Sequence, residues 1–217
     1  MISYDKKFIF IHTPRTGGTS LEIFFEETVS DCKVDNDTRH WPLWFYYDKK
    51  EIRPFVDDFF KFSIVRNPWD RFLSYFFHLY QGEFHAPTFK KMVKLAGTSG
   101  MGVYPFVKPT RKEYINFWSC TRMTTKMIRT ESLEEDYHTD MQYLNFGGGT
   151  DLLLRFENLQ EDFDELCEKI GVSPKKLPHA NKTQYRHKHY REYYTRETRN
   201  IIRDRYKEDI KNFGYTF

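Results

Sequence analysis

No apolar run in the 217-residue chain reaches the ~18 residues that a membrane-crossing helix requires. A spanning segment is therefore not expected. Because MISYDKKFIF passes almost at once into the first apolar run, no targeting segment is read there and a cytoplasmic location is the expectation. Cysteine is scarce. Cys32, Cys120 and Cys167 are odd in number, widely spaced and without a CxxC pair, which argues against a disulfide framework and a structural metal and fits a reducing compartment. Net charge is low as well, +3 from 34 Lys and Arg against 31 Asp and Glu, so overall charge does not imply a polyanion partner, although a local basic surface is compatible with it.

What the chain has in quantity is aromatic: 18% of its residues, with 21 Phe and 15 Tyr. A mean hydropathy of −0.73 would by itself suit disorder. So many aromatics beside 30% charged residues of both signs describe instead a compact core under a charged surface. The length suits one α/β domain, 1–217, large enough to bury a substantial core.

The organising stretch is 8–29, FIFIHTPRTGGTSLEIFFEETV. Phe8, Ile9, Phe10 and Ile11 have no polar face, as in a strand covered on both sides within a parallel sheet. Pro14 ends the run, Gly17 and Gly18 permit positive φ and close backbone approach, and Thr19 and Ser20 are capping types ahead of a helix buried through Leu21, Phe24 and Phe25. This predicts a nest of backbone N–H groups at a helix N-terminus, suited to an anion such as phosphate, with Arg15 adding charge at its lip. The ordinary phosphate loop, G-x-x-x-x-G-K-[ST], is absent: Thr13 stands where its first Gly would be and Thr19 where its Lys would be. Plain αβ packing would use such a Gly-Gly turn too.

The plan repeats at 59–80, FFKFSIVRNPWDRFLSYFFHLY. Phe60, Phe62, Ile64 and Val65 predict a second buried strand, Arg66-Asn67-Pro68 breaks it, and Trp69 to Tyr80 reads as a helix with Pro68 near its start. Arg66 lies at a strand end, where ligands gather in open α/β sheets. Arg71 and Ser74 are three apart on the helix, and Asp70 sits near its positive end. Arg66 can offer a planar fork and Ser74 a hydroxyl to one phosphate, each charge-assisted bond being worth roughly 1.5–3 kcal/mol. A solvent ion pair for Arg66 and a back-bonded helix serine for Ser74 are the plainer alternatives.

PRTGGTS at 14–20 and RNPWDRFLS at 66–74, in this order, resemble the P-K-T-G-G-T-S and R-N-P-W-D-R-x-x-S motifs of the P-loop-like sulfotransferases that use 3′-phosphoadenosine 5′-phosphosulfate (PAPS), in particular their carbohydrate, Golgi-type or family-2-like branch. LLLRFENLQEDFDELCEKI at 152–170 is similar to that family's later strand and helix with its R-[FY]-E-[ND]-L signature, and LPHANKT, YREYYTRET and RYKEDIKNFGY to its C-terminal block. The weakest likeness is at 84–150. The resemblance implies a three-layer α/β/α fold with a central, mostly parallel, P-loop NTPase-like sheet. It implies sulfuryl transfer from PAPS to a hydroxyl, that of a carbohydrate in the branch it resembles, with adenosine 3′,5′-bisphosphate (PAP) as product, and no metal. Its members more commonly carry Lys at the position of Arg15, touching the bridging oxygen of the leaving group. Arg15 supplies charge there and no proton near neutral pH. For the donor, the implied residues are Arg15, Thr16, Gly17, Gly18, Thr19 and Ser20 at the 5′-phosphate and Arg66 and Ser74 at the 3′-phosphate, with Lys182, Arg186 and Lys188 of the C-terminal basic loop as candidates to join them.

The base is expected at His40, since relatives acting on sugar hydroxyls place His or Glu between the first helix and the R-N-P strand and His40 is the histidine there. A surface histidine beside Trp41 is the plainer alternative. His12 is read as shaping the loop; His78, His85, His138 and Glu22 are the further candidates. Residues 30–51 are expected to be a surface excursion or a short strand near Trp44 to Tyr47, with Trp41, Trp44, Phe45 and Tyr46 available to stack on a sugar or to pack in the core. LAGTSGMGVYPFVKPT reads as a loop, KEYINFWSCTRMTTKMI as a helix with core Tyr114, Phe117, Trp118 and Met123, and Gly147 to Gly149 as a turn before a strand at Leu152 to Phe156. Leu159, Phe163, Leu166 and Ile170 predict one helix face ended by Gly171, and Ile202, Tyr206, Ile210 and Phe213 a last helix docked on the core. Residues 182–207 hold nine Lys or Arg against three acids, with tyrosines interleaved. A nucleic-acid-binding module is therefore one competing reading and a Mg²⁺-dependent nucleotide kinase or NTPase another. The first conflicts with the apolar stripe, and the second with the missing Lys and the absence of a strand-end Asp for the metal. The oligomeric state is not legible.

Overall fold

A computed structural model describes residues 1–35, 39, 40, 43–98, 150–180 and 184–217. The readings for Trp41, residues 99–149 (including His138 and the Gly147 to Gly149 turn) and Lys182 lie outside them. The chain divides into two compact units, Met1–Val65 with Thr124–Ala180, and Arg66–Met123 with Asn181–Phe217.

The first unit is built on a four-stranded sheet in the order β1 (Ile2–Ser3), β2 (Phe8–Ile11), β3 (Phe60–Val65), β4 (Leu152–Arg155). The short β1 is antiparallel to β2, while β2, β3 and β4 run parallel, so the fold is α/β with a mostly parallel sheet, as expected. Phe8 to Ile11 are all fully buried, which is why that strand has no polar alternation to show. Phe8, Phe10, Phe62, Ile64 and Leu154 form one core with Leu21, Phe24 and Phe25 of α1 (Gly18–Thr28) and with Phe163, Leu166 and Ile170 of the helix Leu159–Ile170. Gly171 ends that helix in a left-handed turn at φ 66°.

Three expectations are corrected in this unit. The aromatic run after residue 42 is helical, α2 (Leu43–Asp48), and a second short helix, α3 (Arg53–Val56), precedes β3. Leu43 and Tyr46 are both buried, and a spacing of three reaches one face of a helix but opposite faces of a strand. Thr19 and Ser20, expected as caps, fall inside the first turn of α1, while Gly17 precedes it at φ 90° with no side-chain cap. β4 also stops one residue early, and Phe156–Asn158 continue as a 3₁₀ turn.

The second unit is helical: α4 (Pro68–Tyr80), α5 (Ala86–Thr98), and, counting Leu159–Ile170 as α6, α7 (Arg196–Arg205) and α8 (Lys207–Phe213). Trp69, Phe72, Leu73, Phe76 and Phe77 of α4 pack with Phe89, Val93 and Ala96 of α5 and with Ile202 and Tyr206. The stripe through Phe213 is real but belongs to two helices that meet at Tyr206. Helix α5 was not read from the sequence, and it takes the first four residues of the supposed loop, 95–98. A side chain at Gly97 would come within 2.6 Å of Ile201 Cγ2, so the glycine serves a close approach of α5 to α7 rather than a break.

Candidate functional site

In the first unit the site is assembled from the end of β2 outward. Thr16 Oγ1 donates to the Thr13 carbonyl at 2.6 Å, Thr13 Oγ1 and Ser63 Oγ lie 3.1 Å apart, and Ser63 Oγ donates to the Ile11 carbonyl at 2.7 Å. These buried bonds fasten the loop to the neighbouring strand. Within it Arg15 is held at φ 65°, a conformation that a side chain bearing a Cβ seldom takes, and Gly17 follows at φ 90°. Strain of roughly 1–3 kcal/mol at such a residue persists where the surroundings over-determine it, and functional loops are where it collects. The turn then opens directly into α1, where the Ser20 amide bonds the Gly17 carbonyl at 3.0 Å and the amides of Gly18 and Thr19 are those an α-helix leaves without an intrahelical acceptor.

Behind the loop is a buried polar cluster. His12 Nδ1 stands 2.6 Å from Glu22 Oε1, both residues being nearly inaccessible. The His12 ring also stacks on Phe10. Arg39 donates to both Glu22 oxygens through Nε and Nη2, and its Nη2 is 3.3 Å from Thr19 Oγ1. Thr19 accepts in that bond and so keeps its own O–H to donate. Burial pushes the Glu22 carboxyl up, but the hydrogen bond and charge of His12 and then those of Arg39 outweigh it and leave the group below its ordinary 4.5. Burial holds His12 below 6.5 against the pull of Glu22. Above pH 6.5 the pair is a neutral His12 donating to an ionised Glu22, and the charge of His12 acts on its neighbours only where acid has protonated the ring.

His40 meets this cluster edge-on, its ring 4.5 Å from that of His12. Its Nδ1 lies 3.0 Å from the His12 carbonyl oxygen, an atom that can only accept. The proton is therefore on Nδ1, and Nε2 carries the lone pair. Burial first, and the charge on His12 second, lower its pKa to about 3, so the ring is neutral at physiological pH.

These shifts set a pH dependence with a definite sign. Between their folded values and 6.5, His12 and His40 bind more protons in the unfolded chain than in the folded one, so stability is complete above pH 6.5 and declines as pH falls below it. Glu22 adds a further loss below 4.5. Thermal melts from pH 7.5 to 5 should show a falling midpoint, with a shallower fall in His40→Ala. A flat profile would contradict the neutral-histidine assignment.

In the second unit Asn67 caps α4 by accepting from the Trp69 amide at 3.1 Å, while its Nδ2 donates to Tyr190 Oη and to the Thr216 carbonyl. Trp69 Nε1 bonds the Arg199 carbonyl. Thus Asn67, Pro68 and Trp69 of the motif serve architecture. Arg66 is different: Nε and Nη2 contact Asp70 Oδ2 at 2.8 and 2.7 Å, and Arg186 Nη1 stands 2.6 Å from Asp70 Oδ1, a charge contact outside hydrogen-bond alignment. Ser74 is buried one helical turn after Asp70, on the same face. Lys188 is exposed; its carbonyl lies 3.4 Å from Arg186 Nε, and the amides of His187 and Lys188 donate to Tyr193 Oη. The alternative bases sit elsewhere in this unit: His78 is exposed at the end of α4, and His85 Nδ1 is 2.6 Å from Thr88 Oγ1.

The loop residues Arg15 to Ser20 and His40 are thus gathered in one unit, and Arg66, Ser74, Arg186 and Lys188 in the other. Arg39 was not singled out in the sequence. Its one signal is adjacency to His40. Glu22, a further candidate base from the sequence, has its two oxygens engaged by His12 and Arg39. Among the described residues no group of three or more His, Cys, Asp or Glu side chains could hold a metal ion. Cys32 and Cys167 are buried thiols pushed up by burial to about 12, and no described helix is long and apolar enough to cross a membrane.

The described residues define an α/β protein with a mixed four-stranded sheet flanked by helices, in which a glycine turn after β2 feeds the N-terminus of α1. The profile of the sulfotransferase family matches residues 1–216, and the chain belongs to that family. No curated protein matches it. Family membership carries sulfuryl transfer in general and PAPS as the usual sulfate donor.

Proposed function

We propose that residues 1–217 act as one PAPS-dependent sulfotransferase domain whose acceptor is a carbohydrate hydroxyl and whose base is His40. The observation that carries this reading is the pair formed by the strained loop at Arg15 to Gly18 and the neutral His40 fixed on the carbonyl of His12. The loop suits an anion through the backbone amides that lead into α1, and position 18 must be glycine because a Cβ there would fall 2.3 Å from the His12 ring. When bound, PAPS supplies a sulfuryl group on a phosphate leaving group. The amides of Gly17 and Gly18, the hydroxyls of Thr19 and Ser20 and the charge of Arg15 neutralise the oxygen released as the S–O bond breaks. His40 Nε2 takes the proton of the attacking hydroxyl as its oxygen bonds sulfur, while Nδ1–H stays on the His12 carbonyl. Burial disfavours the imidazolium that forms, and the bond to the His12 carbonyl and the buried Glu22 carboxylate offset part of that. Arg66 and Ser74, with Arg186 and Lys188, take the 3′-phosphate that separates PAPS from ATP.

The carbohydrate acceptor rests on the likeness of PRTGGTS and RNPWDRFLS to the carbohydrate branch. The test of the donor is calorimetry with PAP and with ATP plus Mg²⁺. Micromolar binding of PAP, about 8 kcal/mol, with little for ATP is the expected result. Arg66→Ala should weaken PAP roughly tenfold to a hundredfold, as loss of a charge-assisted bond does. Binding of ATP with Mg²⁺ and not of PAP would overturn the reading in favour of an NTPase.

A further inference from the structure

Asp70 is a carboxylate set between two cations that the donor reading assigns to the 3′-phosphate. Its Oδ2 receives Arg66 from one helical turn earlier, and its Oδ1 faces Arg186 from 116 residues later in the chain. The side chains are 8%, 10% and 21% exposed for Arg66, Asp70 and Arg186, so little water screens them. Together the three carry a net charge of +1. A buried ion pair adds little stability over apolar packing, and a second guanidinium crowded onto one carboxylate adds less. The arrangement makes sense as preparation: Asp70 pays the cost of bringing two like charges together before an anion arrives. It also holds Arg186, which stands on the exposed stretch 184–189 and would otherwise swing on a long, rotamer-rich side chain.

We infer that Asp70 is a positioning residue for the 3′-phosphate, orienting Arg66 and Arg186 although its own charge repels the ligand. The inference rests on the donor reading above. It makes a prediction opposite in sign to simple electrostatics. Removing a negative charge beside an anion site should tighten binding, whereas losing the brace should weaken it.

The experiment is calorimetric titration of the full chain with PAP and with adenosine 5′-monophosphate, which lacks the 3′-phosphate. Asp70→Asn should bind PAP at least tenfold more weakly than the native protein and bind the monophosphate unchanged. A merely structural role would weaken both. Because a buried Asn could unfold the protein, Arg186→Ala and the double variant are measured as well, with Asp70→Glu as the charge-retaining control. If Asp70 acts through Arg186, the double variant loses less PAP affinity than the two single losses combined, and Asp70→Glu recovers part of the loss. Equal or tighter PAP binding by Asp70→Asn, equal losses for both ligands, or full additivity in the double variant would overturn the inference while native PAP binding left the donor reading standing. Failure of the native protein to bind PAP would overturn the donor reading and this inference with it.

Discussion

His40→Ala is expected to lower the turnover of sulfuryl transfer by roughly 10²–10⁴-fold, the usual worth of a positioned general base, with PAP affinity little changed. The selectivity follows from where the ring stands. Nδ1 is committed to the carbonyl of His12, so the atom lost to the reaction is Nε2, and the loop residues keep their own anchors in Thr13, Thr16 and Ser63. His40→Asn is a sharper probe, since its amide can still donate to the carbonyl but cannot accept a proton. Both variants should be inactive to a similar degree. The readout is single-turnover transfer to a hydroxylated acceptor, with calorimetry of PAP in parallel. Near-native turnover in His40→Asn would remove His40 as the base and return attention to the other histidines.

Gly18→Ala is expected to disable the loop as a whole. The new methyl would lie 2.3 Å from His12 Cδ2 and 2.4 Å from Nε2. The ring cannot step aside cheaply, being bonded to Glu22 at 2.6 Å, stacked on Phe10 and edge-on to His40. Overpacking of this kind costs about 1–3 kcal/mol, and here displacement of His12 also breaks a buried charged hydrogen bond. Urea unfolding should report the loss as a lower midpoint, and PAP binding should fall with it. Gly17→Ala provides a comparison with a different cause: φ 90° is unfavourable for alanine, and the methyl would reach Phe156 Cδ2 at 3.0 Å. A Gly18→Ala protein with native stability would show that the His12 ring relaxes, and the tight fit proposed for the loop would fail.

Much of the framework was legible because its signals are local. Four apolar residues before Pro14 could scarcely be other than a buried strand, and RNPWDRFLS carried its own start in Pro68, while the Asn67 cap emerged only in the structure. Leu43 to Asp48 were harder, since an aromatic run has no polar residues to reveal its period, and burial of Leu43 and Tyr46 together decided for helix. Helix α5 escaped because Ala96-Gly97-Thr98 looks like a loop unless one knows that α7 approaches it closely.

The site divides along the same line. By itself the sequence determined the glycine turn with its arginine and the RNPWDRFLS helix, because each rests on residue types at fixed short spacings, whereas His40 was singled out only through the family resemblance. Tertiary structure alone decided that His12 lies over Gly18, that Glu22 is taken up by His12 and Arg39, and that Arg186 comes to Asp70. Those are meetings of charged and aromatic groups far apart in the chain, chosen by burial and by the need of each buried charge for a partner, and no spacing along the sequence encodes them.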